Sequence, residues 1–159
     1  MTNRTNTPKL LDNPPIPVQV KLAAAWTSFM FFYIYVDFLG LYKPGKIDDI
    51  LAGIVHDFEI SQTFVLISIA LVGIPALMIC LSMTLPARVN RATNLVVATL
   101  SVPIAAFNVT GESDWLAFFV VAVGIELLLL AFILRSAWTW PRASAVPAGR
   151  AKTDLRQSA

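Results

Sequence analysis

Residues 115–138 read WLAFFVVAVGIELLLLAFILRSAW, an apolar run interrupted by Glu126 and relieved only at Arg135, close to its end. A helix that crosses the hydrocarbon core of a bilayer needs about 20 predominantly apolar residues, and this stretch supplies them. Working outward, three more runs of the same kind appear. Residues 22–42 (LAAAWTSFMFFYIYVDFLGLY) are interrupted only by Asp37 and closed by Lys43-Pro44-Gly45. Residues 61–85 carry Gly73 and Pro75 inside and end at Pro86, and residues 92–110 contain Pro103. Proline inside a span is tolerated in lipid, where neighbouring helices and Ser/Thr side chains satisfy the freed carbonyls, so kinks are expected near Pro75 and Pro103.

The composition agrees. Of 159 residues, 57% are hydrophobic and 14% charged, against roughly 25% charged in soluble domains, and the mean hydropathy is +0.69. So short a chain has too little interior to hide that much apolar surface from water. A disordered chain is excluded by the apolar excess, and a basic nucleic-acid binder by a net charge of only +2. A disulfide-stapled module is excluded because Cys80 is the single cysteine. The expected fold class is an all-α four-transmembrane-helix bundle, with the lipid bilayer as its first partner.

Between the first two runs, residues 46–60 are too short and too charged to span. Ile47, Ile50, Leu51, Ile54, Val55 and Phe58 recur at three- and four-residue spacing, with Asp48, Asp49, His56 and Glu59 mostly opposite. This predicts an amphipathic interfacial helix lying flat at the membrane surface. Residues 1–21 are polar and proline-rich without an apolar signal region, and read as a flexible cytoplasmic tail; residues 141–159 read as a disordered basic one. No lipidation motif is visible at either end.

Charge sets the expected orientation. With the tails and the 86–91 loop on one side, that side carries ten of the twelve Lys and Arg residues, and only Lys43 and Lys46 fall on the other. By the positive-inside rule both termini are cytoplasmic. The outer side carries Asp48, Asp49, Asp57, Glu59, Glu112 and Asp114. Trp26, Trp138 and Trp140 are expected at the inner interface, and Tyr42 and Trp115 at the outer one.

Contact faces in lipid show as small and polar residues at helical spacing. In the third run Asn94, Ala98, Ser101, Ala105 and Asn108 share one face, with Arg91 extending it. In the second, Ser61, Ser68 and Ser82 share a register with Pro75; in the first, Trp26, Met30, Tyr33 and Asp37 form a stripe; in the fourth, Ala122 and Glu126 lie one turn apart. At 1.5 Å rise per residue, Glu126, Ser101 and Tyr33 lie near mid-depth, and Asp37 lies higher, level with Asn108.

An ionised carboxylate at the bilayer centre costs several kcal/mol unless paired, hydrated or protonated, which singles out Glu126. No Lys or Arg lies at its depth, so hydrogen bonds from Tyr33 or Ser101 are expected. Glu126 is either a proton- or ligand-binding acid or a protonated side chain gluing helices together. Asp37 is either simply hydrated near the outer interface or part of an outward-facing pocket with Tyr33 and Asn108. His56 reads as a residue on an exposed helix face, because no second histidine and no metal-ligand spacing accompanies it. Cys80, deep in the second span, behaves as a small apolar residue. No phosphate loop, Ser/His/Asp set, CxxC or haem-ligand pair is present, so no cofactor, no metal and no catalytic residue is expected.

The FLGLYKPGKIDDILAG stretch after the first helix and LPARVNRATN before the third, within this four-span layout, resemble a family of small bacterial integral membrane proteins of unknown function, over about residues 18–140. The layout is also loosely similar to DoxX-like four-helix proteins. It is unlike small multidrug-resistance transporters, whose essential Glu lies in the first helix. The resemblance implies no activity or site. The residues favour a non-enzymatic bundle that binds a small apolar or amphiphilic ligand, or a partner protein, in an outward-facing polar pocket around Asp37, Asn108 and Glu126. The alternatives are a proton-coupled small-solute transporter acting as a homo-oligomer, a membrane-embedded enzyme on a lipid or quinone, and a structural accessory subunit.

Overall fold

A computed structural model describes residues 14–107, 109 and 115–141. Among the described residues the regular structure is helical apart from one small hairpin. Helix α1 is Val18–Gly40, α2 is Lys46–Leu51, α3 is Gln62–Thr84, α4 is Ala87–Phe107 and α5 is Leu116–Trp138; β1 (Ile54–Val55) and β2 (Phe58–Glu59) lie between α2 and α3. The four long helices sit over the four apolar runs, α3 and α4 continuing through Pro75 and Pro103, because in lipid an apolar segment has no better way to satisfy its backbone than helix. The proposed tails fall mostly outside the described residues, as does Asn108.

Two helix ends have simple local causes. Ser61 caps α3, its hydroxyl oxygen accepting from the Phe64 N–H at 3.2 Å, so Ser61 is a cap and not the contact residue that its register suggested. Pro86 separates α3 from α4: the Leu85 N–H still bonds Leu81 O, and the Asn90 N–H already bonds Pro86 O.

The single interfacial helix expected over 46–60 does not form. Helix α2 stops at Leu51, where Ala52 N–H bonds Asp48 O and Gly53 N–H bonds Ile50 O. Gly53 is left-handed (φ +83°), the conformation that ends helices and that only glycine takes without steric cost. The chain then folds back: Ile54 pairs with Glu59 and Val55 with Phe58, and Ile60 N–H reaches Gly53 O at 2.8 Å. His56 and Asp57 form the two-residue loop, with His56 at φ 53°. The apolar spacing that suggested one helical face is equally met by β-branched and aromatic residues in a hairpin, and Gly53 decides between them.

Helices α1 and α3, α1 and α5, and α4 and α5 pack closely, whereas α3 and α4 pack against each other much more loosely. The interior holds Leu22, Trp26, Phe29, Met78, Ala98, Leu130 and Ile133, together with Ser82, Asn90, Asn94, Ser101 and Glu126. The exterior holds residues such as Phe31, Leu66, Ile69, Leu77, Leu100 and Leu128, the last 72% exposed. Polar groups inside and large apolar ones outside suit lipid and would be untenable in water. Helices α1, α3 and α5 are each long and apolar enough to cross a membrane. Helix α4 matches them in length but is less apolar, because its inward face carries Asn90, Asn94 and Ser101 and its first turns carry Arg88 and Arg91.

Candidate functional site

Near one end of the bundle the polar residues are fully matched. The Asn94 amide is its centre: its Oδ1 accepts from Trp26 Nε1 at 2.7 Å and from Ser82 Oγ at 3.4 Å. Its Nδ2 donates to the Asn90 backbone carbonyl at 2.9 Å and to Asn90 Oδ1 at 2.7 Å. Asn90 Nδ2 in turn donates to the Ser82 carbonyl at 2.6 Å. Both amide hydrogens and both oxygen lone pairs of Asn94 are used, which ties α1, α3 and α4 together at one level. Beside it, Arg91 Nε donates to the Ala137 carbonyl of α5 at 3.2 Å, and its guanidinium lies 5.9 Å from the Trp138 ring. Asn94 was legible from spacing. Asn90, one turn before it in NRATN, was not singled out. Trp26, expected at the interface, is wholly buried, because its indole N–H has this partner inside.

At mid-bundle the matching fails. Glu126 is completely buried, and neither carboxyl oxygen has a hydrogen-bond partner among the described residues. The bonds expected from Tyr33 and Ser101 are not made to it. Ser101 Oγ instead donates to the Val97 carbonyl one turn back on its own helix, at 2.9 Å. A hydroxyl in a helix always has that carbonyl within reach, and sequence spacing cannot see the competition. Tyr33 continues an aromatic row on α1, stacked on Phe29 at 5.9 Å, with Phe29 edge-on to Trp26 at 5.7 Å. Tyr33 and Ser101 also border a cavity of only about 10 Å³ with Met30 and Pro75, too small for more than a single water.

Asp37 lies one turn before the end of α1, in a pocket of about 80 Å³ lined also by Val36, Gly40, Lys43, Lys46, His56 and Phe119. Glu126 itself does not line this pocket. Lys43 and Lys46 went unnoticed as site residues because in sequence they read only as topology signals.

The hairpin covers a second and larger space. A groove of about 510 Å³ opens where α3 and α4 part, lined by Tyr33, Ser68, Leu71, Pro103, Ile104 and Phe107 of the helices and by Val55, His56 and Phe58 of the hairpin. Its wall is overwhelmingly apolar. His56 borders both spaces, a position that the hairpin creates and that a flat surface helix would not. Among the described residues no cluster of three or more His, Cys, Asp or Glu is placed to hold a metal.

Helices long and apolar enough to cross a membrane, with large apolar side chains outside and a few polar ones inside, define a protein of membrane type. The chain belongs to a family of unknown function, DUF6326, whose model matches residues 18–145 and so takes in all five helices and the hairpin. No curated protein matches it, the DoxX-like proteins included, and no solved structure does.

Proposed function

We propose that the protein is a four-span integral membrane protein, with both termini cytoplasmic, that takes up a small apolar or amphiphilic molecule without chemically changing it. The observation that carries this reading is the groove of about 510 Å³ beneath the hairpin. Its size falls within the roughly 300–1,000 Å³ of small-molecule sites, and its lining is apolar with few polar groups, as such sites are. Helix α4 serves as the fourth span: 21 residues reach about 32 Å, and its polar face turns inward, leaving Val89, Val96, Leu100 and Phe107 exposed. With α1 entering from the cytoplasm, the hairpin and groove lie toward the outer surface.

Topology is tested with cysteines. In a Cys80→Ser background, Asp57→Cys should react with a membrane-impermeant maleimide in intact cells, and Arg88→Cys only after permeabilisation. The reverse pattern overturns the orientation, and labelling of both from outside removes α3, which separates the two sites, as a span. Uptake is tested with N-phenylnaphthylamine and the purified full chain. Saturable fluorescence enhancement is expected, weakened about tenfold by Ile104→Trp, which fills the groove with a larger ring, and unchanged by Leu128→Trp on the lipid-facing side of α5. Equal binding by all three proteins would falsify the groove as the site.

A second reading, proton-coupled transport by a homo-oligomer, is favoured by Glu126 alone, since an intramembrane acid without a structural partner is by default a functional one.

A further inference from the structure

We propose that the Asp37 pocket and the apolar groove form one composite site for a single-chain zwitterionic phospholipid, with its acyl chain in the groove and its ammonium–phosphate headgroup between Asp37 and Lys46. This rests on the groove being a ligand site. Three observations support it. The two spaces are neighbours, since His56 lines both. Their chemistry differs as the two parts of an amphiphile differ: the groove presents Leu71, Ile104 and Phe107, whereas the pocket presents one carboxylate and two ammonium groups within about 80 Å³. The order also matches a bilayer, because Lys43 and Lys46 follow the end of α1 at Gly40, where headgroups lie, while the groove runs back between α3 and α4.

The charge pattern selects among headgroups. A purely anionic head would meet Lys43 and Lys46 but press against Asp37, and a purely cationic head would meet Asp37 but press against both lysines. A headgroup with both signs matches both, with the phosphate accepting charge-assisted bonds from the lysines and the ammonium donating one to Asp37. Unmatched charge is the element that discriminates. The groove, at about 510 Å³, is in the lower part of the small-molecule range and suits one chain.

The test is displacement of N-phenylnaphthylamine from the full chain by four myristoyl or tetradecyl amphiphiles of matched length: lysophosphatidylethanolamine, lysophosphatidylglycerol, tetradecyltrimethylammonium and tetradecanol. Lysophosphatidylethanolamine should displace the probe at concentrations about tenfold below the others. Asp37→Asn, which keeps the side-chain shape, should erase its advantage over lysophosphatidylglycerol. Lys46→Gln should erase its advantage over the alkylammonium. Both variants should bind the probe itself as the unaltered protein does. Equal displacement by all four amphiphiles, or preference for the anionic one, overturns the headgroup assignment and leaves the groove standing. Absence of saturable probe binding overturns the groove and the headgroup assignment together.

Discussion

Glu126→Met raises the stability of the purified protein in detergent by about 1–3 kcal/mol, the cost of a buried polar group left without a hydrogen bond. The side chain is completely buried and both oxygens lack partners among the described residues, so the native state carries this cost with nothing visible to offset it. Met has nearly the same length, keeps the packing and removes the cost. The measurement is the midpoint of thermal unfolding, which should move up by several degrees for a domain of this size. A fall instead would mean that the carboxyl holds a stabilising bond. Glu126→Gln in liposomes then separates the two functional readings. On the binding reading probe affinity persists and proton flux is unaffected, whereas on the transport reading flux through the unaltered protein is measurable and the variant abolishes it.

The opposite sign is expected one to two turns nearer the end of the bundle where α3 meets α4. Asn94→Leu should destabilise the bundle by about 2–4 kcal/mol, because the change strands the Trp26 indole N–H and the Asn90 side-chain carbonyl in an apolar interior. A lower bound follows from membrane helices, where each interhelical hydrogen bond contributes only about 0.6 kcal/mol because the separated helices find other partners. Even so, Asn94 loses two interhelical bonds, from Trp26 and Ser82, and two to Asn90 within α4 at once. Ser101→Ala is the internal control: its hydroxyl bonds only its own helix, so a change within about 0.5 kcal/mol is expected. If both variants unfold at the same midpoint, the Asn94 network does not hold the helices together.

The contrast between these two residues explains much of what could and could not be read in advance. Both stood out as polar exceptions in apolar runs, and both proved to face inward. Burial of Asn94, Ala98, Ser101 and Ala105 on one face of α4 followed from spacing, since the period of a helix is a local property. Whether a polar group would be matched did not follow. Asn94 is matched by Trp26, 68 residues away, and Ser101 by its own backbone, while Glu126 has no such partner among the described residues. The hairpin was missed for a different reason. The apolar periodicity of residues 46–60 admits helix or strand, and the turn at Gly53 outweighs it. With the hairpin came the position of His56 and the cover over the groove, so this groove was invisible to any argument that laid the segment flat.

What the sequence by itself determined is therefore the set of apolar helices, their approximate ends and most of their inward faces, Asp37 and Ser61 being exposed instead, because run length, proline and glycine punctuation and small-residue spacing act within a few turns of chain. Only the tertiary structure decided which helices part from each other, that the 46–60 segment turns back over the gap between α3 and α4, and that Lys43, Lys46 and His56 join Asp37. Those outcomes depend on which surfaces meet across tens of residues of intervening chain. A pattern of hydrophobicity specifies that a face is buried, but not the partner it is buried against.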